Sequence, residues 1–258
     1  KFLSTKAQRP SVQVSNFNLN IMVTIKEVSS RKELKQFIRF ANELYNDNPY
    51  YTPCLEFDEL NTFDTKKNPA LDHSKFANFL AYKDGKVVGR ITAIINELAN
   101  EHWGCKKVRF GWFDFIDDYE VSRALLDAAA DWGRQHGMTA MNGPVGFTDF
   151  DHQGLLLEGY DYVSPMASLY NYPYYVDHFD RYGLVKEADW IEFLVSTPHQ
   201  IPEKMERVAK IVMEKYKIRI DKVRTVKELK EKYQGDACPI SSTEIAGAIM
   251  SNVIGFSR

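Results

Sequence analysis

The chain is poor in cysteine, in net charge and in long apolar runs. Its three cysteines, Cys54, Cys105 and Cys238, are far apart and form no Cys-x-x-Cys pair. We therefore expect neither a disulfide framework nor a zinc knuckle, and a reducing cytoplasm is the predicted compartment. A formal net charge of −2 gives no field that would concentrate nucleic acid. No apolar run approaches the roughly 20 residues of a membrane span, so we expect neither a nucleic-acid nor a membrane partner.

The two ends of the chain differ from its middle. Residues 1–21 are polar and have no hydrophobic period, whereas an alternating run begins at Met22. Residues 234–258 become rich in Gly, Ser and Ile, again without an apolar period. The pattern predicts that 1–21 is an extension or a disordered segment and that 234–258 is an atypical or disordered tail.

Hydrophobic periodicity predicts strands and helices in the order β-α-(α)-β-β-β-α-β-α-β. The predicted strands are residues 23–28, 76–82, 87–96, 108–115, 139–142 and 190–196, with a strand-like stretch at 217–223. The predicted helices are residues 30–48, 120–136, 173–182 and 202–216, with another beginning at 226. Ser30 and Glu33 form a capping-box signature, and Asp84-Gly85 predicts a tight hairpin between two apolar runs.

Several stretches resemble the GNAT superfamily of acyltransferases. Residues 79–91, around the Asp84-Gly85 turn, resemble the hairpin of that superfamily, and residues 124–133 resemble its central helix. Residues 143–151 and 157–161 resemble a bacterial subfamily of large proteins with two tandem GNAT-like halves.

This resemblance implies a fold, a division into domains and a reaction. The implied fold is α+β, with a central, mostly antiparallel twisted sheet and helices on both of its faces. Residues 22–200 would form a first GNAT-like half-domain, and residues 201–233 would begin a second. The implied function is N-acyl transfer from acetyl-CoA or another acyl-CoA to an amine of a small molecule or peptide.

The turn before the central helix departs from the GNAT pattern. In that superfamily the turn is rich in glycine, and its backbone N–H groups hold the pyrophosphate of CoA. Residues 117–122 here read Asp-Asp-Tyr-Glu-Val-Ser, with three carboxylates and no glycine. Because carboxylates also favour the positive end of a helix dipole, simple acidic capping is the competing interpretation.

A second GNAT motif departs as well. Its tyrosine, which protonates the departing CoA thiolate, stands four residues before a Gly-apolar pair; Phe179 occupies that place ahead of Gly183. A phenyl ring has no proton to give. Tyr175, one helical turn earlier, is the predicted substitute, and Tyr182 is the other candidate. The two departures predict a half-domain that lacks the usual CoA pyrophosphate loop, with CoA binding expected in the second half.

The densest polar cluster follows the predicted strand at 139–142. Asp149, Asp151 and His152 are predicted to be catalytic, since carboxylates beside an imidazole can accept a proton from an amine nucleophile. The same residue types could hold a divalent cation, but we expect no metal. Alternatively, the aspartates cap turns within a polar loop.

An aromatic stretch lies further along the chain. Tyr170, Asn171, Tyr172 and Tyr174 are predicted to bind substrate as an amphipathic wall with hydroxyl groups at its rim. The competing interpretation is that Pro173 starts a helix and the rings fill space between helix and sheet.

Three functions remain open from the sequence. The first is an acyl-CoA-dependent N-acyltransferase. The second is a non-catalytic GNAT-like module that binds a ligand or partner through the tyrosines and the 149–152 loop. The third is a structural half that pairs with a second copy as a homodimer through strand edges or aromatic surface.

Overall fold

A computed structural model describes residues 22–165, 168–193, 196, 199–217, 224–225 and 228. Four predicted segments lie wholly or mostly outside the described residues. They are the extension at 1–21, the strand-like stretch at 217–223, the helix beginning at 226 and the tail at 234–258. The division into two GNAT-like halves stays a prediction.

The described part of the chain is built on a five-stranded sheet. Its strands, in chain order and in spatial order, are β1 (Thr24–Glu27), β2 (Ser74–Lys83), β3 (Lys86–Asn96), β4 (Lys107–Phe115) and β5 (Ala140–Asn142). Neighbouring strands are antiparallel except for β4 and β5, which are parallel. The predicted α+β class and mostly antiparallel sheet are therefore confirmed.

Six helices accompany these strands in the described residues. They are α1 (Arg31–Leu44), α2 (Glu56–Thr62), α3 (Glu97–His102), α4 (Tyr119–Gln135), α5 (Tyr174–Tyr182) and α6 (Glu203–Tyr216), with a 3-10 turn at Pro69–His73. The capping box of Ser30 and Glu33 is present at the start of α1. The Asp84-Gly85 turn is also as predicted: both residues have positive φ, 52° and 72°, which a two-residue hairpin turn requires.

Two predictions of local structure are wrong, and one helix was not predicted. α1 ends at Leu44 rather than near residue 48. The helix α3 was not predicted, because a six-residue helix is too short to show an apolar period. The described residues of the predicted strand at 190–196 form no strand. There Trp190 and Phe193 are 65% and 80% exposed. Their side chains do not pack against a core, so the burial that favours a strand is missing.

The sheet carries one apolar core on each face. The α4-side core is the cluster of strand residues with α4 and α5, including Phe79, Phe110, Phe113, Leu125 and Phe179. The α1-side core is the cluster around α1 and α2: Phe37, Ile38, Phe63, Ala70, Leu71, Leu80, Ile94 and Phe147. Contact between α4 and the sheet is very close, since a Cβ added at Gly133 would lie 2.5 Å from Cγ1 of Val108.

Candidate functional site

A bulge in β4 decides which side chains face α1 and α2. Arg90 pairs with Asp114 and Thr92 with Gly111, so three steps along β4 match two along β3. The extra residue falls at Trp112, whose φ is +45°, an uncommon conformation for a bulky side chain. As a result Phe113 packs in the α4-side core, whereas Trp112 packs against the α1-side core.

Next to the bulge lies a buried ion pair. Nε of Arg90 donates to Oδ2 of Asp114 over 2.7 Å, and the two residues are 5% and 7% exposed. Nη1 of Arg90 also donates to the carbonyl oxygens of Phe37 and Ile38 in α1. The pair therefore fixes α1 to the middle of the sheet.

Glu59 of α2 reaches the same place. Nε1 of Trp112 donates to its Oε2 over 2.6 Å. Burial raises the pKa of Glu59, and the Arg90 guanidinium and the hydrogen bond from Trp112 act in the opposite direction. Glu59 was not among the residues predicted from the sequence. The pattern that could have indicated it is its place one helical turn before the buried Phe63, which puts its side chain on the apolar side of a short helix.

The predicted loop of Asp149, Asp151 and His152 comes partly to this point. The ring of Phe147, four residues before Asp151, packs on the rings of Phe63 and Trp112, which brings the start of this loop to the bulge. The charges of Asp151 and His152 act on Glu59, whereas Asp149 is exposed in the same loop. The Asp151 carboxylate accepts a hydrogen bond from the Thr148 backbone N–H over 2.8 Å. Burial raises its pKa despite that bond. We call Glu59, Trp112, Asp151 and His152 the bulge site.

Tyr175 lies inside the protein, on the other side of the ion pair. Tyr175 is 2% exposed. Its hydroxyl lies 2.8 Å from the Tyr45 hydroxyl and accepts a hydrogen bond from the Phe115 backbone N–H over 3.2 Å. Burial and the neighbouring Asp114 raise the pKa of Tyr175 well above its ordinary value. The phenol thus keeps its proton, within a hydrogen-bonded network that also reaches Asp114.

The stretch from Tyr170 to Tyr174 packs against the end of α1. Its rings form a cluster with those of Tyr45 and Tyr51. The ring centroids of Tyr45 and Tyr172, for example, are 4.9 Å apart. Its polar groups bond to main chain: the Tyr170 hydroxyl donates to Tyr160, the Tyr172 hydroxyl to Leu44, the Tyr174 hydroxyl to Phe115, and Asn171 accepts from Leu156. The packing is that of the competing interpretation, with rings filling space; the predicted substrate-binding role stays a prediction.

The N-terminus of α4 is capped by its own acidic residues. The Asp118 carboxylate accepts from the Glu120 backbone N–H over 3.0 Å and from Nζ of Lys83 over 2.6 Å. The hydrogen bond from Lys83 lowers the pKa of Asp118. Beside it, His178 of α5 bonds Asp117 through Nε2 and Ser122 through Nδ1. Acidic capping of this helix is confirmed.

Phe179 lies in the α4-side core. It is 7% exposed, and its ring stacks on that of Phe113 with centroids 5.8 Å apart. The residue at the place of the GNAT proton donor is thus a packing residue in this chain.

We expect Asp118→Ala to lower the free energy of unfolding by about 1 kcal/mol, because the cap of α4 is lost. Asp118→Asn keeps an acceptor for the Glu120 N–H and serves as the control. Since the folded pKa of Asp118 is below its unfolded value, its charge contributes stability above about pH 4 and loses that contribution as the pH falls through the folded pKa. Urea denaturation at pH 7 and pH 3 checks this; an equal loss at both would contradict it.

Two classes of site or segment are absent from the described residues. No group of three or more His, Cys, Asp or Glu side chains there is placed to hold a metal ion. None of the helices in the described part of the chain has the length and apolar character to cross a bilayer.

Comparison with known proteins gives relatives by sequence. The chain is 38% identical to protein YghO of Escherichia coli over 161 residues, which is 62% of this chain and 41% of YghO. It is 31% identical to the bacterial ceramide synthase of Caulobacter vibrioides over 193 residues, which is 74% of this chain and 50% of that protein. The chain therefore spans half or less of the length of these curated relatives. No protein-family model matches it.

Solved structures with a similar arrangement include acetyltransferases. An aminoglycoside acetyltransferase from an uncultured soil metagenomic sample covers 69% of this chain and 99% of its own length, with a TM-score of 0.41 and 11% identity. A tandem GNAT protein from the clavulanic acid biosynthesis pathway covers 48% of this chain and 38% of its own, with a TM-score of 0.36 and 16% identity. At TM-scores and identities this low, the likeness says nothing about a substrate or cofactor of this chain. The chain is thus a relative by sequence of YghO and of a bacterial ceramide synthase.

Proposed function

We propose that this chain is part of an acyl-CoA-dependent N-acyltransferase and that it holds the amine acceptor. The observation that carries the proposal is the 31% identity over 193 residues to a protein named a bacterial ceramide synthase. A ceramide is the amide of a fatty acid with a long-chain amino alcohol, so making one is acyl transfer to an amine. The sequence predicts the same reaction class independently, from the residues that resemble the GNAT superfamily.

The bulge site supports this proposal because its chemistry suits an amine. Glu59 and Asp151 are partly exposed carboxylates on the α1 side of the sheet. Carboxylates bind an ammonium group by charge-assisted hydrogen bonds, and exposed Phe57 and Phe150 on the same two segments add apolar surface. We infer an acceptor with an amine and an apolar part, a long-chain amine being favoured over a peptide.

The predicted site residues take roles within this proposal. Asp149, Asp151 and His152 would orient and deprotonate the acceptor. Tyr175 would donate a proton to the leaving thiolate, through its contact with the Tyr45 hydroxyl and Asp114. The stretch from Tyr170 to Tyr174 would support the acceptor from the end of α1.

The donor site is proposed to lie mostly in another part of the complete protein. The N-terminus of α4 is filled by Asp118 and Lys83, and a second carboxylate, Asp117, stands beside it. These charges disfavour a pyrophosphate at this helix. We infer that acyl-CoA is held by a glycine-rich turn elsewhere.

The test is an assay of amide formation by the complete gene product with an acyl-CoA and a long-chain amine, read by mass spectrometry. We expect amide to form, and we expect the double variant Asp151→Ala/His152→Ala to lower kcat/KM about 100-fold, within the range of general acid–base catalysis. Glu158→Ala, an exposed carboxylate further along the same loop, is the control and should keep the wild-type rate. Absence of amide with acyl-CoAs of two to eighteen carbons would contradict the proposal.

A second candidate is the non-catalytic GNAT-like module, favoured by the acidic cap of α4 and by Phe179 in the core. Under that alternative the 149–152 loop binds a ligand or partner and the chemistry lies elsewhere. A wild-type transfer rate in the double variant would favour the module over a catalytic loop.

A further inference from the structure

Glu59 is held in place by a hydrogen bond and by the packing of its helix. Trp112 donates to its carboxylate over 2.6 Å. Phe63, one turn later, packs its ring at 5.0 Å from that of Trp112 and at 5.8 Å from that of Phe37. A carboxylate with this support has a defined position, and the Glu59 residue is still partly exposed.

Burial makes Glu59 a stronger base than an exposed carboxylate, and the groups around it partly offset that effect. Trp112 of β4 donates a hydrogen bond to Glu59. The other groups that interact with it electrostatically are Arg90 of β3, Asp151 and His152 of the loop, and Tyr51 and Cys54 ahead of α2. Burial and the charge of Asp151 raise the pKa of Glu59, and Arg90, Trp112 and His152 oppose that rise. The Arg90 charge is already matched by Asp114, so protonation of Glu59 leaves no buried cation unpaired.

We propose that Glu59 accepts a proton from the ammonium group of the acceptor and so frees the amine to attack the acyl thioester. This inference rests on the proposed function and adds to it a residue that neither the sequence analysis nor a comparison assigns. Glu59 then takes the place of the 149–152 loop as the proton acceptor, and Asp151 and His152 keep the role of orienting the ammonium group.

The step balances in protons and electrons. The acceptor arrives as R–NH3⁺ and gives one proton to the Glu59 carboxylate, which becomes a carboxylic acid. The free nitrogen lone pair forms a C–N bond to the thioester carbonyl carbon, and the C–S bond breaks as the tetrahedral adduct collapses. The second proton that the nitrogen loses is taken up by the thiolate, and the products are an amide and a thiol. Glu59 returns its proton to solvent before the next turnover.

Other carboxylates of α2 do not fit this role. Glu56 is bound by Arg39 over 2.6 Å and by Lys35 over 3.4 Å at the surface, and the hydrogen bond from Arg39 lowers its pKa. Asp58 is exposed. A lower pKa makes a carboxylate a poorer proton acceptor, because efficiency follows basicity. Glu59 is thus the α2 carboxylate whose surroundings match the task.

The test compares Glu59→Gln with Asp58→Asn in the complete gene product, using the amide assay described above. We expect Glu59→Gln to lower kcat about 100-fold with a smaller change in KM, and Asp58→Asn to change neither. The glutamine keeps an acceptor for Trp112, so the melting temperature should stay near that of the wild type. Trp112→Phe removes a hydrogen bond that lowers the pKa of Glu59. That variant should therefore move the acidic limb of the kcat/KM–pH profile to higher pH, a shift that a packing role would not produce.

The outcomes separate Glu59 from the transferase proposal as a whole. If the wild type makes amide and Glu59→Gln retains at least half of its kcat with the same pH profile, the Glu59 proposal is wrong and the transferase stands. If the wild type makes no amide, the transferase proposal fails. In that case dodecylamine is titrated into this chain and into its Glu59→Gln variant. Binding at least tenfold weaker in the variant would keep Glu59 as an ammonium-binding residue, and equal binding in the two would show that it is not one.

Discussion

Asp114→Ala is expected to lower the free energy of unfolding by about 3–5 kcal/mol, because it leaves the Arg90 guanidinium buried without its counter-charge. Arg90 is 5% exposed and cannot turn to water without leaving the carbonyl oxygens of Phe37 and Ile38. The Tyr45 hydroxyl loses an acceptor at 3.2 Å in the same change. Urea denaturation at pH 7 measures the effect.

The matched control is Asp131→Ala, which removes the partner of Arg134 in an exposed pair on α4. Both side chains there are more than half exposed, so we expect a loss below about 1 kcal/mol. The double variant Arg90→Met/Asp114→Leu should be less destabilised than Asp114→Ala, because no unpaired charge stays buried. A loss in Asp114→Ala as small as that in the control would show that the buried pair does not hold α1 to the sheet.

Phe147→Ala is the second change with a large expected effect. We expect it to lower the free energy of unfolding, measured by urea denaturation, by about 3–5 kcal/mol. Phe147 is fully buried, and its ring meets those of Phe76 at 5.3 Å and Trp112 at 5.5 Å. Its carbonyl oxygen accepts from the side-chain amide of Asn96 over 3.0 Å. Because this residue anchors the loop that carries Asp151, we also expect amide formation to fall together with stability.

Phe150→Ala is the control for this prediction, since it removes the same side chain three residues later in the same loop. Phe150 is 67% exposed, and we expect its removal to change stability by less than about 0.5 kcal/mol. Equal losses in the two variants would mean that Phe147 is not the anchor.

Features encoded by neighbouring residues could be predicted from the sequence. The capping box at Ser30 and the Asp84-Gly85 turn each depend on a few adjacent residues, and both are present. The apolar period of α4 and its acidic start were likewise sufficient to predict the helix and its cap. Local hydrogen bonding determines these elements, and tertiary contacts do not override it.

The candidate site could not be predicted because it depends on the bulge. Simple alternation along residues 108–115 places residues 110, 112 and 114 on one face of the strand. The bulge instead joins Phe110 with Phe113 and Phe115 in the α4-side core and turns Trp112 and Asp114 toward α1. Gly111 is the one signal in β4, since a glycine inside a strand suggests a bulge, but it does not tell which residues change face. The contact of Glu59 with Trp112 also joins residues 53 positions apart, which periodicity within one helix cannot reveal.

The filled N-terminus of α4 has a consequence for engineering. Asp118 is joined to Tyr119, the first residue of α4, by one peptide bond, so its carboxylate acts at an effective concentration of at least the millimolar range. A free phosphate would have to outcompete that tethered anion as well as the Lys83 ion pair. Glycines introduced beside Asp118 would therefore not be enough to create a pyrophosphate site; Asp118 itself has to be replaced as well.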